Sequence, residues 1–132
     1  MVEIAPTLML GEGPLGERRM VPILGGTFEG QRIRGKVLPG GADRQLIRRD
    51  GVRRLDALYE MQAEDGTVLT VRNQVLIAPG QGDAAEYRFS SIEITAPEAG
   101  PHAWLNRRVF VGTLHSLRPA QTAVLIRAYQ LA

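Results

Sequence analysis

A chain of 132 residues with 44% apolar content is the size of one domain, since single domains hold about 100 to 200 residues, and it can build a core without covalent staples. Zero cysteines exclude disulfides, thiolate metal sites and thiol nucleophiles. Sixteen basic against fourteen acidic residues leave a net charge of +2, too mild and too interspersed to mark a nucleic-acid footprint.

The opening MVEIAPTLML has neither the basic start nor the long apolar run of a secretory signal, and no stretch approaches the ~20 apolar residues of a spanning helix. A soluble, cytoplasmic, single-domain protein over residues 1–132 is expected. Fifteen glycines and eight prolines cut the chain into short segments whose apolar and polar residues alternate with the period of a half-buried strand. Strands are predicted over 5–10, 18–24, 27–37, 43–49, 54–62, 67–77, 86–95, 108–115 and 122–131. Gly11 to Gly16, Pro39-Gly40-Gly41, Asp50-Gly51 and Glu64-Asp65-Gly66 stand between them as turns, because Gly and Asp accept the backbone of tight hairpins. The first of these matches the letters GxGxxG, but Pro22 follows before a helix can form, so it is a turn and not a phosphate loop. Successive hairpins make a meander, and eight or nine strands close to remove their edges. The expected fold is all-β: a closed antiparallel up-and-down β-barrel of about eight strands.

Within 27–37, Arg32, Arg34 and Lys36 share one face and Gln31, Ile33, Gly35 and Val37 the other, so the charged face lies outside. Extending this period back from Ile33 places Thr27 and Glu29 inside, unless a bulge at Gly30 reverses the parity. Leu55, Ala57, Tyr59 and Met61 form the core face of the next long strand but one. Residues 67–77 are apolar on both faces, so either Arg72 or Asn73 is enclosed. Ala103-Trp104-Leu105-Asn106 is a short turn closing one barrel end, and the final strand offers Val124, Ile126, Ala128 and Gln130 to the core.

His102 and His115 lack the acidic and histidine neighbours of a metal site. Ser90, Ser91 and Ser116 lack a nucleophile elbow and triad partners. No metal and no cofactor is expected. What remains is a polar set in apolar strands, Glu29, Asp43, Asp56, Arg72 and Asn73, with Tyr87, Trp104 and Asn106 nearby, and buried charges of this kind need partners. In a structural account Arg72 pairs with one carboxylate while Asn73 and Asn106 satisfy turn backbone. In a functional one Glu29 or Asp43 transfers a proton and Arg72 with Asn73 steadies negative charge on a carbonyl compound. Asp56, Asn106, Tyr87 and Trp104 then complete the pocket, which binds a ligand among mixed apolar and polar groups.

The runs Pro22-Ile23-Leu24-Gly25-Gly26-Thr27-Phe28-Glu29-Gly30 and Gly35-Lys36-Val37-Leu38-Pro39-Gly40-Gly41-Ala42-Asp43 resemble uncharacterised protein family 0311, also called domain of unknown function 3237. Asp50-Gly51, Leu55-Asp56-Ala57, Val71-Arg72-Asn73, Tyr87 with Phe89, Ala103-Trp104-Leu105-Asn106-Arg107 and Phe110-Val111-Gly112 extend the resemblance from about Gly13 to Leu131. It implies a closed, roughly eight-stranded antiparallel barrel and no particular activity. Arg44 stands where an aromatic is expected, Ser90 where relatives often carry arginine, and the loop Pro79 to Ala85 is short; residues of this kind that line the cavity would alter ligand preference.

An eight-stranded barrel is just wide enough to be filled by side chains or to hold one small ligand. The expectation is a small molecule in the interior, with a cofactor-independent isomerisation, cyclisation or lyase step on a carbonyl compound. The rival is a barrel packed solid, acting as a non-catalytic interaction module through its outer face; less than ~100 Å³ of free interior would favour it. No nucleic-acid or membrane partner is expected, and a homodimer is.

Overall fold

The computed structural model describes residues Met1–Ala132. It contains ten strands, β1 (Val2–Ile4), β2 (Leu8–Gly13), β3 (Gly16–Glu29), β4 (Arg34–Val37), β5 (Ala42–Arg48), β6 (Arg53–Ala63), β7 (Val68–Ala78), β8 (Tyr87–Thr95), β9 (Phe110–Ser116) and β10 (Ala123–Gln130), and a 3-10 helix over Ala103–Arg107. Every pairing is antiparallel, and β1, β3, β4, β6, β7, β8, β9 and β10 form a closed ring of eight. The expected barrel is therefore present. β2 and β5 stand outside the ring: β2 runs along the first half of β3, and β5 fills the lane between β3 and β6 below β4. No helix is long and apolar enough to cross a membrane.

Several expected boundaries shift, two of them around β1 and β3. The predicted strand 5–10 becomes β1 and β2 on either side of Pro6, and the Gly25-Gly26 pair lies inside β3 instead of ending a strand. Gly26 has φ +137°, and a Cβ on it would lie 2.1 Å from the carbonyl oxygen of Met1. The missing side chain thus lets β1 lie against β3 and close the ring. The β1–β3 register slips between Glu3 and Ile4, which pair with Gly25 and Ile23. This irregularity puts both Ile23 and, beyond it, Phe28 on the inner face.

Strand alternation builds the core from one face of each strand. On β7, Leu69, Val71, Asn73, Val75 and Ile77 are buried while Arg72 and Gln74 between them are exposed. Leu55, Ala57 and Tyr59 do the same on β6. The 3-10 helix caps the barrel end where β3, β6, β8 and β10 finish, and Leu105 inserts from it into the main core with Phe110, Ile92 and Val71. Burying a leucine fully contributes about 1.5–3 kcal/mol, so this contact fixes the cap on its end. The opposite end is packed by a smaller cluster of Leu55, Val75 and Ile77.

Candidate ligand-binding site

A cavity of about 810 Å³ occupies the capped half of the barrel. Its walls are the inward residues Val37, Tyr59, Leu69, Val71, Ile92, Ile94 and Phe110, with Trp104 and Leu105 from the 3-10 helix. Phe28 and Ile33, from the end of β3 and the loop leading into β4, and residues 125–130 of β10 complete it. β1 pairs with β10 only as far as Val124, whereas β10 runs on to Gln130. The wall is therefore incomplete beside Met1, whose terminal amine donates to the Thr27 carbonyl at 2.7 Å. Burial pushes that amine below its usual value. Tyr59 lends the wall a phenol that burial drives up to about 12, so it stays neutral at ordinary pH.

Beneath this apolar space lies a buried polar row. Asp43 on β5 pairs with Ala57 on β6, and Ala57 pairs on its other side with Asn73 on β7. Residues paired across strands share a face, so both polar side chains point inward, separated by the small alanine. Asn73 is 1% exposed and is two residues along β7 from Val71 in the cavity wall, a step of about 7 Å. Asp43 Oδ2 accepts a hydrogen bond from Gln45 Nε2 at 2.8 Å, but Asn73 Oδ1 and Ser90 Oγ are buried without partners. Burial, the largest influence, raises the Asp43 carboxyl above the ordinary carboxylate range, against the opposing bond from Gln45. Unpaired buried polar atoms cost about 1–3 kcal/mol each.

The remaining expected site residues divide sharply. Glu29 is exposed at the rim, because it pairs directly with Arg34 across the β3–β4 hairpin and shares that residue's outer face. The period drawn back from Ile33 fails because 30–33 is a loop, so the two strands are separate. Of the pair Arg72 and Asn73, the asparagine is the enclosed one. Arg72 lies on the outer wall, where Nε and Nη2 donate to the two carboxylate oxygens of Asp56 at 3.2 and 2.9 Å. Arg72 holds the Asp56 carboxyl below its usual range. With side chains 51% and 42% exposed, the pair ties β6 to β7 and contributes at most about 1 kcal/mol. Asn106 also serves the fold: its amide binds both the N–H and the carbonyl of Ala96, at 2.7 and 2.9 Å, and donates to Glu98.

Tyr87 is 57% exposed and stacks edge-on against Phe89 at 4.9 Å on the outer wall, far from the capped end. Trp104 alone of the two aromatics lines the cavity. Of the departures noted above, Ser90 faces inward and Arg44 outward.

Residues not singled out for this end meet there through loops. Arg32, expected on the outer strand face, sits instead in the loop before β4 with its guanidinium carbon 4.0 Å from the Trp104 ring centre. His102 Nε2 lies 2.9 Å from Asp65 Oδ2, and the two border a shallower hollow of about 410 Å³ that shares Arg32 and Ile33 with the cavity. Asp65 is held below the usual carboxylate range, first by the Thr67 backbone N–H, then by the Thr67 hydroxyl and by His102.

The sequence model of the family described as "Protein of unknown function (DUF3237)" matches residues 1–131. The chain belongs to this family. A DUF3237 relative, the UPF0311 protein CA_C3321 of Clostridium acetobutylicum, is 30% identical over 117 residues, which are 80% of this chain and 74% of the relative. Among solved structures, the conserved protein of unknown function RPA1785 from Rhodopseudomonas palustris superposes with a TM-score of 0.83 at 30% identity, covering 98% of this chain and 90% of its own. A protein described as an enzyme from Penicillium herquei shares the fold at TM-score 0.75 and 19% identity, covering 99% and 87%. This DUF3237 member thus keeps the family barrel from end to end.

Proposed function

We propose that the barrel binds one small, mainly apolar molecule in its capped half. The observation that carries this reading is the cavity of about 810 Å³, within the ~300–1,000 Å³ usual for small-ligand sites. A filled barrel acting through its surface would use exposed apolar residues such as Leu76, Tyr87, Phe89 and Val111, and the cavity volume supports the interior site instead.

The chemistry we infer is a cofactor-independent proton transfer, an isomerisation, cyclisation or lyase step on a carbonyl compound. Asp43 is its acid/base group, since burial favours the protonated form that can donate. Asn73 and Ser90 supply hydrogen bonds to the reacting oxygen, the part first expected of Arg72 with Asn73. Arg72 lies on the outer wall and has no share in it, and Glu29 stands at the cavity rim, away from the buried polar row. That one protein of this fold is described as an enzyme is in keeping with such chemistry.

The test uses phenylnaphthylamine, an uncharged apolar dye whose fluorescence rises on leaving water. Ile94 sits beside Val71 on the adjacent strand, both lining the cavity, and Ile94→Trp projects a larger ring into that space. Overpacking of this kind costs about 1–3 kcal/mol, so the variant is first confirmed folded by its melting curve. Dye affinity is expected to fall by about tenfold or more. Unchanged affinity would place the dye elsewhere and contradict an interior site.

A further inference from the structure

We propose that the cavity mouth selects an anion: the ligand carries a carboxylate or a similar acidic group that pairs with Arg32 while its apolar body fills the barrel. This rests on the small-molecule reading above and adds a charge to it.

The Arg32 guanidinium carbon lies over the Trp104 ring, 4.0 Å from its centre, and both residues line the cavity. A guanidinium lying on a ring keeps its N–H groups directed outward in its own plane, the arrangement that grips a carboxylate through two parallel bonds. Of the carboxylates around it, Glu64 and Asp65 are already engaged, and Glu29 stands at the rim. Glu64 pairs with Arg34 at 3.0 Å, and Asp65 accepts from the Thr67 backbone at 3.0 Å and meets His102 at 2.9 Å. Arg32 itself forms no ion pair.

Elsewhere in the lining the charged groups are Glu29, an acidic residue at the rim, and Arg127, which lies on the outer face of β10 between the inward Ile126 and Ala128. Arg32 thus offers a guanidinium without an ion-pair partner, set over Trp104, at an opening whose walls are mostly hydrocarbon. A neutral ligand would leave this charge unused. An amphipathic acid, such as an aromatic or medium-chain carboxylic acid, matches both parts.

The experiment compares phenylnaphthylamine with anilinonaphthalenesulfonate, which has the same hydrocarbon frame plus one sulfonate, on the full chain and on Arg32→Gln. Arg32 is exposed in a loop, and the neutral dye reports whether the cavity survives the substitution. The expected result is that Arg32→Gln weakens the anionic dye about tenfold more than the neutral one. Arg32→Lys, which keeps the charge but not the planar fork, should recover part of that difference, and raised salt should shrink it in the parent protein by screening. An equal effect on both dyes, with both still bound, overturns the anion-selective mouth and leaves the small-molecule reading standing. If neither dye binds the parent protein, both fall together.

Discussion

Replacing Gly26 with alanine is expected to destabilise the protein by about 3 kcal/mol or more and to free β1 from the barrel. The added Cβ would lie 2.1 Å from the Met1 carbonyl oxygen and 3.1 Å from the Cα of Val2, at a φ of +137° that side-chain-bearing residues rarely adopt. Left-handed backbone costs an L-residue roughly 1–2 kcal/mol, and the backbone clash can be relieved only by moving β1. That strand carries Val2, 5% exposed and part of the main core, and it is the sole link between β3 and β10. Its release opens the ring beside the cavity. Urea unfolding measures the loss of stability, and amide hydrogen exchange at Glu3 and at its β10 partner Ala123 locates it. Parent-like stability with full protection at both positions would show that β1 does not depend on the bare glycine.

The second large effect concerns Asp43 and depends on pH. Burial raises its carboxyl, so the folded protein holds that proton to a higher pH than the unfolded chain does. Between the ordinary carboxylate value and the raised one, the folded state binds the extra proton. This group's contribution to stability is therefore greatest below the window and declines as pH rises through it. Asparagine has no proton to lose, so Asp43→Asn abolishes the decline. Near neutral pH the variant should exceed the parent by about 1–2 kcal/mol, the scale of one buried polar group relieved, or several degrees in melting temperature. The gain should vanish in acid, where the parent carboxyl is neutral in both states. Parallel stability profiles from pH 3 to 8 would mean that Asp43 is not held as described. A gain in stability at neutral pH also marks Asp43 as a residue kept at a cost, which is what a proton-transfer group in an enclosed site requires.

Much of the barrel is written in local pattern. The alternation through Leu55, Ala57 and Tyr59, the turns at Asp50-Gly51 and Glu64-Asp65-Gly66, and the turn before Phe110 are each set by neighbours a few residues away, and all recur in the structure. Parity failed where a hairpin intervened: Glu29 follows Arg34 across the strands, not Ile33 along them. The choice between Arg72 and Asn73 stayed open because β7 also carries Val68, Thr70 and Leu76 on its outer face, so hydropathy alone did not mark the inside. Tyr87 was drawn to the pocket for a related reason, since it lies on an outer wall that is itself aromatic.

The mouth was the least legible part. Arg32, Asp65, His102 and Trp104 come from three separate segments with no common period, and tertiary contact alone brings them together. The one available signal was Arg32 itself, the first basic residue of the alternating run and the only one preceding β4. Asp43 was legible because its side chain belongs to a regular strand pair: Val21 and Ala57, its partners on either side, are both buried.

The most direct test of an occupied interior is a methyl NMR titration with phenylnaphthylamine. An interior site predicts that the methyl signals of Leu69, Val71, Ile92 and Ile94, which line the cavity, shift together as the dye is added, while those of the exposed outer residues Leu58, Leu76 and Val109 stay in place. Shifts confined to the outer set, with the inner four unmoved, would contradict it.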